Sequence, residues 1–221
     1  MPDNQASDPQ QGDPPVRESL SRRSFLFSAG GVAAGGVLSS GLLAQPESAG
    51  ESGQAEDKVP TLSGATRITL KLNGEEQELE VEPRTTLLSA LRSRVEPALT
   101  GTKEVCDRGN CGACTVLIDG KPMYSCLQLA ANVEGREITT VEGLGTPEDM
   151  SPVQAAFCKH DALMCGFCTP GFVVATTACL AKHGTPDRET IQHELSGNVC
   201  RCGTYPHIFE AAETAARGED R

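Results

Sequence analysis

Ten cysteines lie between Cys106 and Cys202 of this 221-residue chain, a density that signals either disulfides or bound metal. Their spacing divides them into two sets. The first is Cys106-Asp-Arg-Gly-Asn-Cys111-Gly-Ala-Cys114, with Cys126 following after eleven residues. A C-x4-C-x2-C run with a distal fourth thiol is the plant-type arrangement for a 2Fe–2S cluster. Three ligands on one loop wrap a small cluster and the fourth closes it from another element. The second set is Cys165-Gly-Phe-Cys168-Thr-Pro-Gly171, then Cys200-Arg-Cys202. Zinc takes C-x2-C pairs readily, and such pairs occur at 111/114 and 165/168. Zinc leaves Cys106 and the C-x-C at 200/202 without a role. A disulfide framework is the other alternative.

Gly109 and Gly112 in the first loop suit a backbone that must approach sulfur closely and adopt positive φ. In the second set, Thr169 is placed to cap a helix with Pro170 in its first turn. That brings the positive end of a helix to two thiolates, which suits an anionic cluster. Cys158 and Cys179 remain, each inside an apolar helical run. There a thiol behaves as a small core hydrophobe, the alternative being a disulfide between them. The four histidines, 160, 183, 193 and 207, fall outside both sets.

The elements that must carry these loops are readable around them. Ile68, Leu70 and Leu72 alternate with Arg67, Thr69 and Lys71 as a half-buried strand. Asn73-Gly74 then predicts a hairpin, returning through Leu79 and Val81. Leu87, Leu88, Leu91 and Val95 have helical spacing behind Thr85 or Thr86 as cap. Thr115–Ile118 is a strand entering the Asp119-Gly120 turn, and a last strand covers Glu137 to Val141. After a connection at 142–152 with two glycines and two prolines, four helices follow. They are centred on Ala155–His160, Phe172–Leu180, Ile191 to Leu195, and Ile208–Ala216. The expected fold class is α+β: a β-grasp, ferredoxin-like domain over residues 61–142, a linker at 143–152, and an all-α four-helix domain over 153–221.

Residues 1–60 read as a leader and linker. Ser21-Arg22-Arg23-Ser24-Phe25-Leu26 precedes an uncharged stretch to Ala44 that contains five glycines. A paired arginine before a weakly apolar segment resembles a twin-arginine export signal, and a lone membrane anchor is the alternative. Export of an already folded protein fits a cluster assembled in the cytoplasm, so the expected location is the periplasm, with no stable membrane span in the mature chain. The net charge of −11 argues against a nucleic-acid partner. No Gly-rich phosphate loop follows a strand, and nothing reads as a catalytic acid, base or nucleophile.

The two cysteine sets, with the ending Asn198-Val-Cys200-Arg-Cys202-Gly-Thr-Tyr205, resemble the small subunit of the xanthine dehydrogenase or molybdenum hydroxylase family. The ending looks most like its exported aldehyde and isoquinoline oxidoreductase branch, and the resemblance covers about residues 65–216. It implies one 2Fe–2S cluster per domain, on Cys106, Cys111, Cys114 and Cys126 and on Cys165, Cys168, Cys200 and Cys202. A separate large subunit would hold a molybdenum–pterin cofactor, with the sulfur of Cys202 close to the pterin edge. Electrons would leave toward a flavin subunit or a c-type cytochrome. Many members carry Gln before the first cysteine of the helical set; here that position is Met164, which offers no strong donor. The implied function is an electron-transfer subunit of an aldehyde- or N-heterocycle-oxidising complex. The other class is a free-standing two-cluster ferredoxin, to which the acidic charge would bring basic partners.

Overall fold

The computed structural model describes residues 61–218. The leader and linker expected over 1–60 lie outside the described residues. Strand β1 (Thr66–Leu72) and β2 (Glu75–Val81) form the predicted hairpin, with Leu72 opposite Glu75. Asn73 and Gly74 take φ of 53° and 87°, the two positive angles that a two-residue turn of this hand requires. Ile68, Leu70, Leu72, Leu79 and Val81 face the core. Helix α1 (Leu87–Ser93) starts at Thr86, whose hydroxyl accepts the Ser89 N–H at 3.2 Å. It lays Leu87 and Leu91 on the same core.

Strand β3 (Thr115–Ile118) is buried along its length and turns through Asp119-Gly120 into β4 (Lys121–Tyr124). Strand β5 (Glu137–Thr139) completes a mixed sheet of order β2-β1-β5-β3-β4, parallel to β1 and antiparallel to β3. It ends before the expected Val141 because the Asn73 carboxamide takes the next backbone group: the Thr140 N–H donates to Asn73 Oδ1 at 2.9 Å. The chain then enters a single 3-10 turn, Val141–Leu144.

The helical half comprises α2 (Pro152–Lys159), α3 (Thr169–His183), α4 (Arg188–Glu194) and α5 (Tyr205–Arg217). Helix α2 begins earlier than the apolar pattern suggested, because Ser151 and Gln154 form a capping box with Pro152 in the first turn. Its core gathers Phe157, Phe172, Ile191, Leu195 and Ile208, all at most 2% exposed. A third apolar patch joins the two halves: Val174 and Ala178 of α3 lie on Leu117 of β3. Helix α3 is therefore buried on more than one side, against its own bundle and against the sheet. Among the described residues, no helix is long and apolar enough to cross a membrane.

Candidate metal centres

The first cysteine loop is held open by three left-handed residues, Asp107, Gly109 and Gly112, at φ 48°, 73° and 69°. This conformation turns backbone N–H groups inward. The Asn110 N–H lies 3.4 Å from Cys106 Sγ. Burial opposes ionisation of Cys106, but the N–H groups of Arg108, Asn110 and Cys111 outweigh it and bring the thiol down to about 7. The Ala113 N–H is likewise aimed at Cys111, and the Gly109 N–H at Cys126. Gly109 and Gly112 have the positive φ the sequence suggested. What lies over them is a side chain in each case, Leu127 over Gly109 and Asn198 over Gly112, where a Cβ would collide.

The thiols fall in pairs. Cys106 and Cys111 lie close enough for each to act on the other's ionisation, and Cys114 lies close enough to act on that of Cys126. Burial and the nearby Cys114 push Cys126 up to about 12. In the second set Cys200 lies close enough to act on Cys168, and burial with that neighbour raises Cys168, also to about 12. Cys165 lies close enough to act on Cys168 through its charge. Cys202 is exposed and joins its set through its backbone N–H, aimed at Cys200. A pair whose second thiol keeps its proton this firmly becomes a dithiolate only beside a cation.

Two features of the second set depart from sequence expectation. Cys168, not Thr169, is the N-cap residue of α3, and no side chain caps that helix. Helix α5 likewise starts without a side-chain cap. Its N-cap Thr204 turns its hydroxyl to Cys200 Sγ instead, 3.6 Å away. Helices α1, α2 and α4 are capped ordinarily by Thr86, Ser151 and Asp187. The two helices that abut the second cysteine set are thus the two whose first N–H groups no side chain caps, the arrangement that favours bound negative charge.

Cys158 is exposed, contrary to the core position expected for it, and its thiol touches Met150 Sδ at 3.8 Å. An apolar run shows that a helix packs, but not which of its thiols the neighbours cover. Cys179 is buried as expected, and both are free thiols.

The fit to a cluster can be judged from the donors. A zinc site draws four ligands onto one point. Paired sulfurs on loops that direct N–H groups at them suit two irons sharing inorganic sulfide.

A 2Fe-2S iron-sulfur cluster binding domain matches residues 70–143, and a second 2Fe-2S binding domain matches residues 140–213. The aldehyde oxidoreductase iron-sulfur-binding subunit PaoA of Escherichia coli (strain K12) is 46% identical over 176 residues, 72% of this chain and 76% of that protein. The chain belongs to the iron–sulfur subunits of the molybdenum hydroxylase family. Another such subunit, the nicotine 6-hydroxylase small subunit of Paenarthrobacter nicotinovorans, is 45% identical over 69% of this chain and 90% of its own. Among solved structures, quinoline 2-oxidoreductase from Pseudomonas putida 86 superposes with a TM-score of 0.66 at 44% identity, over 72% of this chain and all of that one. The aldehyde oxidoreductase of Desulfovibrio gigas matches at 0.65 and 37% identity over 70% of this chain, which corresponds to only 17% of that one. An iron–sulfur subunit of molybdenum hydroxylases carries two 2Fe–2S domains, and the molybdenum–pterin cofactor of its complex resides on the large subunit.

The seam between the halves had no signal in the sequence. Tyr124, at the end of β4, donates its hydroxyl to the Gly197 carbonyl at 2.8 Å. The Val199 N–H donates to the Cys111 carbonyl at 2.9 Å. Asn198, between them, donates to the Gly112 carbonyl at 3.0 Å. Segment 197–199 leads directly into Cys200, so these bonds join one cysteine set to the other.

Proposed function

We propose that this electron-transfer subunit of a molybdenum-containing hydroxylase carries its electrons on the two cysteine sets. Cys106, Cys111, Cys114 and Cys126 hold one 2Fe–2S cluster, and Cys165, Cys168, Cys200 and Cys202 hold the other. The observation that carries this assignment is the left-handed loop at Asp107, Gly109 and Gly112, which aims the Asn110 N–H at Cys106 Sγ, together with the two helices at the second set that start without a side-chain cap. Bound there, the clusters supply a one-electron relay between the molybdenum–pterin site of the large subunit and an external acceptor.

The chain's own part is to hold, brace and seat. Backbone N–H groups around Cys106 and Cys200 stabilise the thiolate form. The Thr204 hydroxyl faces Cys200, and the Tyr205 hydroxyl accepts the Cys200 N–H at 2.8 Å. Tyr205 is itself fixed edge-on to Phe172. Large apolar side chains next to the cysteines remain exposed: Val105, Leu127, Met164, Phe167 and Val199. They form a seat for a stable partner, which favours the large subunit over the transient docking of a free-standing ferredoxin. Met164, 68% exposed, presents a thioether where many family members have a carboxamide. On the other side, a flavin subunit or a c-type cytochrome is the acceptor.

The substrate class is an aldehyde or a nitrogen heterocycle, as for the aldehyde, nicotine and quinoline enzymes to which the chain is similar. The Arg22-Arg23 leader directs the folded chain, with its large subunit, to the periplasm. Iron and acid-labile sulfide per chain, with electron paramagnetic resonance of the reduced protein, test the cluster assignment. About four irons and two binuclear signals are expected; zinc, or a colourless chain after anaerobic preparation, overturns it. Deletion of Arg22 and Arg23 should strand both subunits in the cytoplasm, and continued export refutes the leader's role.

A further inference from the structure

Asn198 is the one buried carboxamide side chain among the described residues, at 6% exposure; the other buried polar side chains are hydroxyls. Its Nδ2 donates to the Gly112 carbonyl at 3.0 Å and reaches Thr115 Oγ1 at 3.4 Å. The position it fills exists because Gly112 has no side chain: a Cβ there would lie 2.6 Å from Nδ2. Gly171, in the first turn of the helix that follows Cys168, packs on the Gly112 carbonyl, and a Cβ on it would lie 3.2 Å from the same Nδ2. Three pieces of chain therefore meet at one amide. They are the loop between Cys111 and Cys114, the start of α3 behind Cys168, and the strand of chain that ends in Cys200.

An apolar residue could fill this space, but it could not set how the pieces are rotated against each other. A planar amide bonded across 86 residues of sequence does so, because each hydrogen bond has a preferred direction. We infer that Asn198 is a positioning residue that fixes the separation and relative orientation of the two clusters. It acts through Gly112 and Thr115 on the first cysteine set and through Val199 on Cys200. This inference rests on the assignment of both clusters to the eight cysteines. Its functional weight follows from geometry: tunnelling and magnetic coupling between two centres both fall steeply with separation.

The test uses the full chain purified with its clusters. Asn198→Ala and Asn198→Asp are compared with wild type by iron content, by the individual resonance signals, and by the spin–spin splitting or relaxation enhancement between the reduced clusters. Ser151→Ala, which weakens a helix cap away from the seam, controls for general destabilisation. Expected are two loaded clusters in every protein, with altered intercluster coupling in the two Asn198 variants and unaltered coupling in Ser151→Ala. Unaltered coupling in both Asn198 variants, with both clusters present, overturns the inference. So does equal alteration in the Ser151 control.

Should an Asn198 variant lose a cluster, Gly171→Ala is the second probe. It keeps Asn198 but drives a methyl into the Gly112 carbonyl, and unchanged coupling there overturns the inference as well. A wild-type protein without two binuclear signals would instead remove the cluster assignment itself, so the two failures are distinguishable.

Discussion

The hydroxyl of Tyr124 occupies the space that a side chain on Gly197 would need, and it donates to the Gly197 carbonyl at 2.8 Å. Gly197 does not have the positive φ found at Gly109 or Gly112, so its backbone conformation would accept alanine. Only the phenol forbids it. Gly197→Ala should therefore destabilise by about 1–3 kcal/mol through overpacking. Replacing Tyr124 with Phe in the same chain should recover part of that loss. A double-mutant cycle by urea unfolding reads the coupling, and strict additivity would show that the two residues do not compete for this space.

Thr204 faces Cys200 with a hydroxyl at 3.6 Å and is 4% exposed. Thr204→Val keeps the shape and removes the donor. Hydrogen bonds to ligand sulfur favour the more negative, reduced cluster. The potential of the cluster on the second cysteine set should fall while the other holds. Redox titration followed by paramagnetic resonance checks this, and a shift confined to the first cluster would contradict it.

The Ser151 hydroxyl accepts the Gln154 N–H at 3.3 Å, and the Gln154 carboxamide oxygen accepts the Ser151 N–H at 2.9 Å. Ser151→Ala should cost about 1 kcal/mol in unfolding free energy and leave both cluster signals unchanged. An altered spectrum would mean that this cap reaches the cysteine sets.

With eight thiols assigned to clusters in the proposed reading, Cys158 and Cys179 are the two left. Cys158 is exposed, whereas Cys179 is 2% exposed with its thiol pushed up by burial and by the nearby Glu194 charge. A maleimide should modify the native protein once, at Cys158, because reaction requires both access and thiolate. Cys158→Ser should abolish the modification. Two labels on the native chain would show that the packing around α3 opens.

Glu194 binds Lys182 Nζ at 2.7 Å and His183 Nε2 at 3.0 Å. Lys182 first, then His183, hold its carboxyl below the ordinary 4.5. A carboxylate lowered by folding contributes stability that is in place above its ordinary value and lost as pH falls through the lowered one. The gap in melting temperature between wild type and Glu194→Gln should thus be open at neutral pH and close below about pH 4. A gap that stays constant into acid would mean that the ion pair contributes nothing.

The parts of the molecule that were legible in the sequence are those with short-range signatures. Asn73-Gly74 and Asp119-Gly120 carry the positive φ of two-residue hairpins in adjacent positions. Alternation at Ile68, Leu70 and Leu72 names the buried face of β1 directly. Both cysteine sets stood out for the same reason, since spacing alone constrains their chemistry. Cys168 as the N-cap of α3 was not legible, because Thr169 is the better cap by residue type. The helix starts one residue earlier and leaves its N–H groups uncapped beside sulfur. Nor was the seam legible: Tyr124 and Gly197 lie 73 residues apart, and Asn198 and Gly112 lie 86 apart. No local pattern records which glycine makes room for which distant side chain.

The closure of segment 197–199 over the first cysteine loop also has a consequence in time. During synthesis the loop around Gly112 leaves the ribosome well before Asn198, its partner 86 residues later. At about 5–20 residues per second, that delay is roughly 4–17 s. The first thiol set is complete once Cys126 follows, and for the rest of that interval it is made but not yet covered, so that a cellular assembly factor can reach it. The second set is finished only when Cys202 emerges, four residues after Asn198, so the amide that locks the first site arrives almost together with the last ligand of the second. The chain's own order of birth thus gives the first centre an open door and then shuts it as the second is completed.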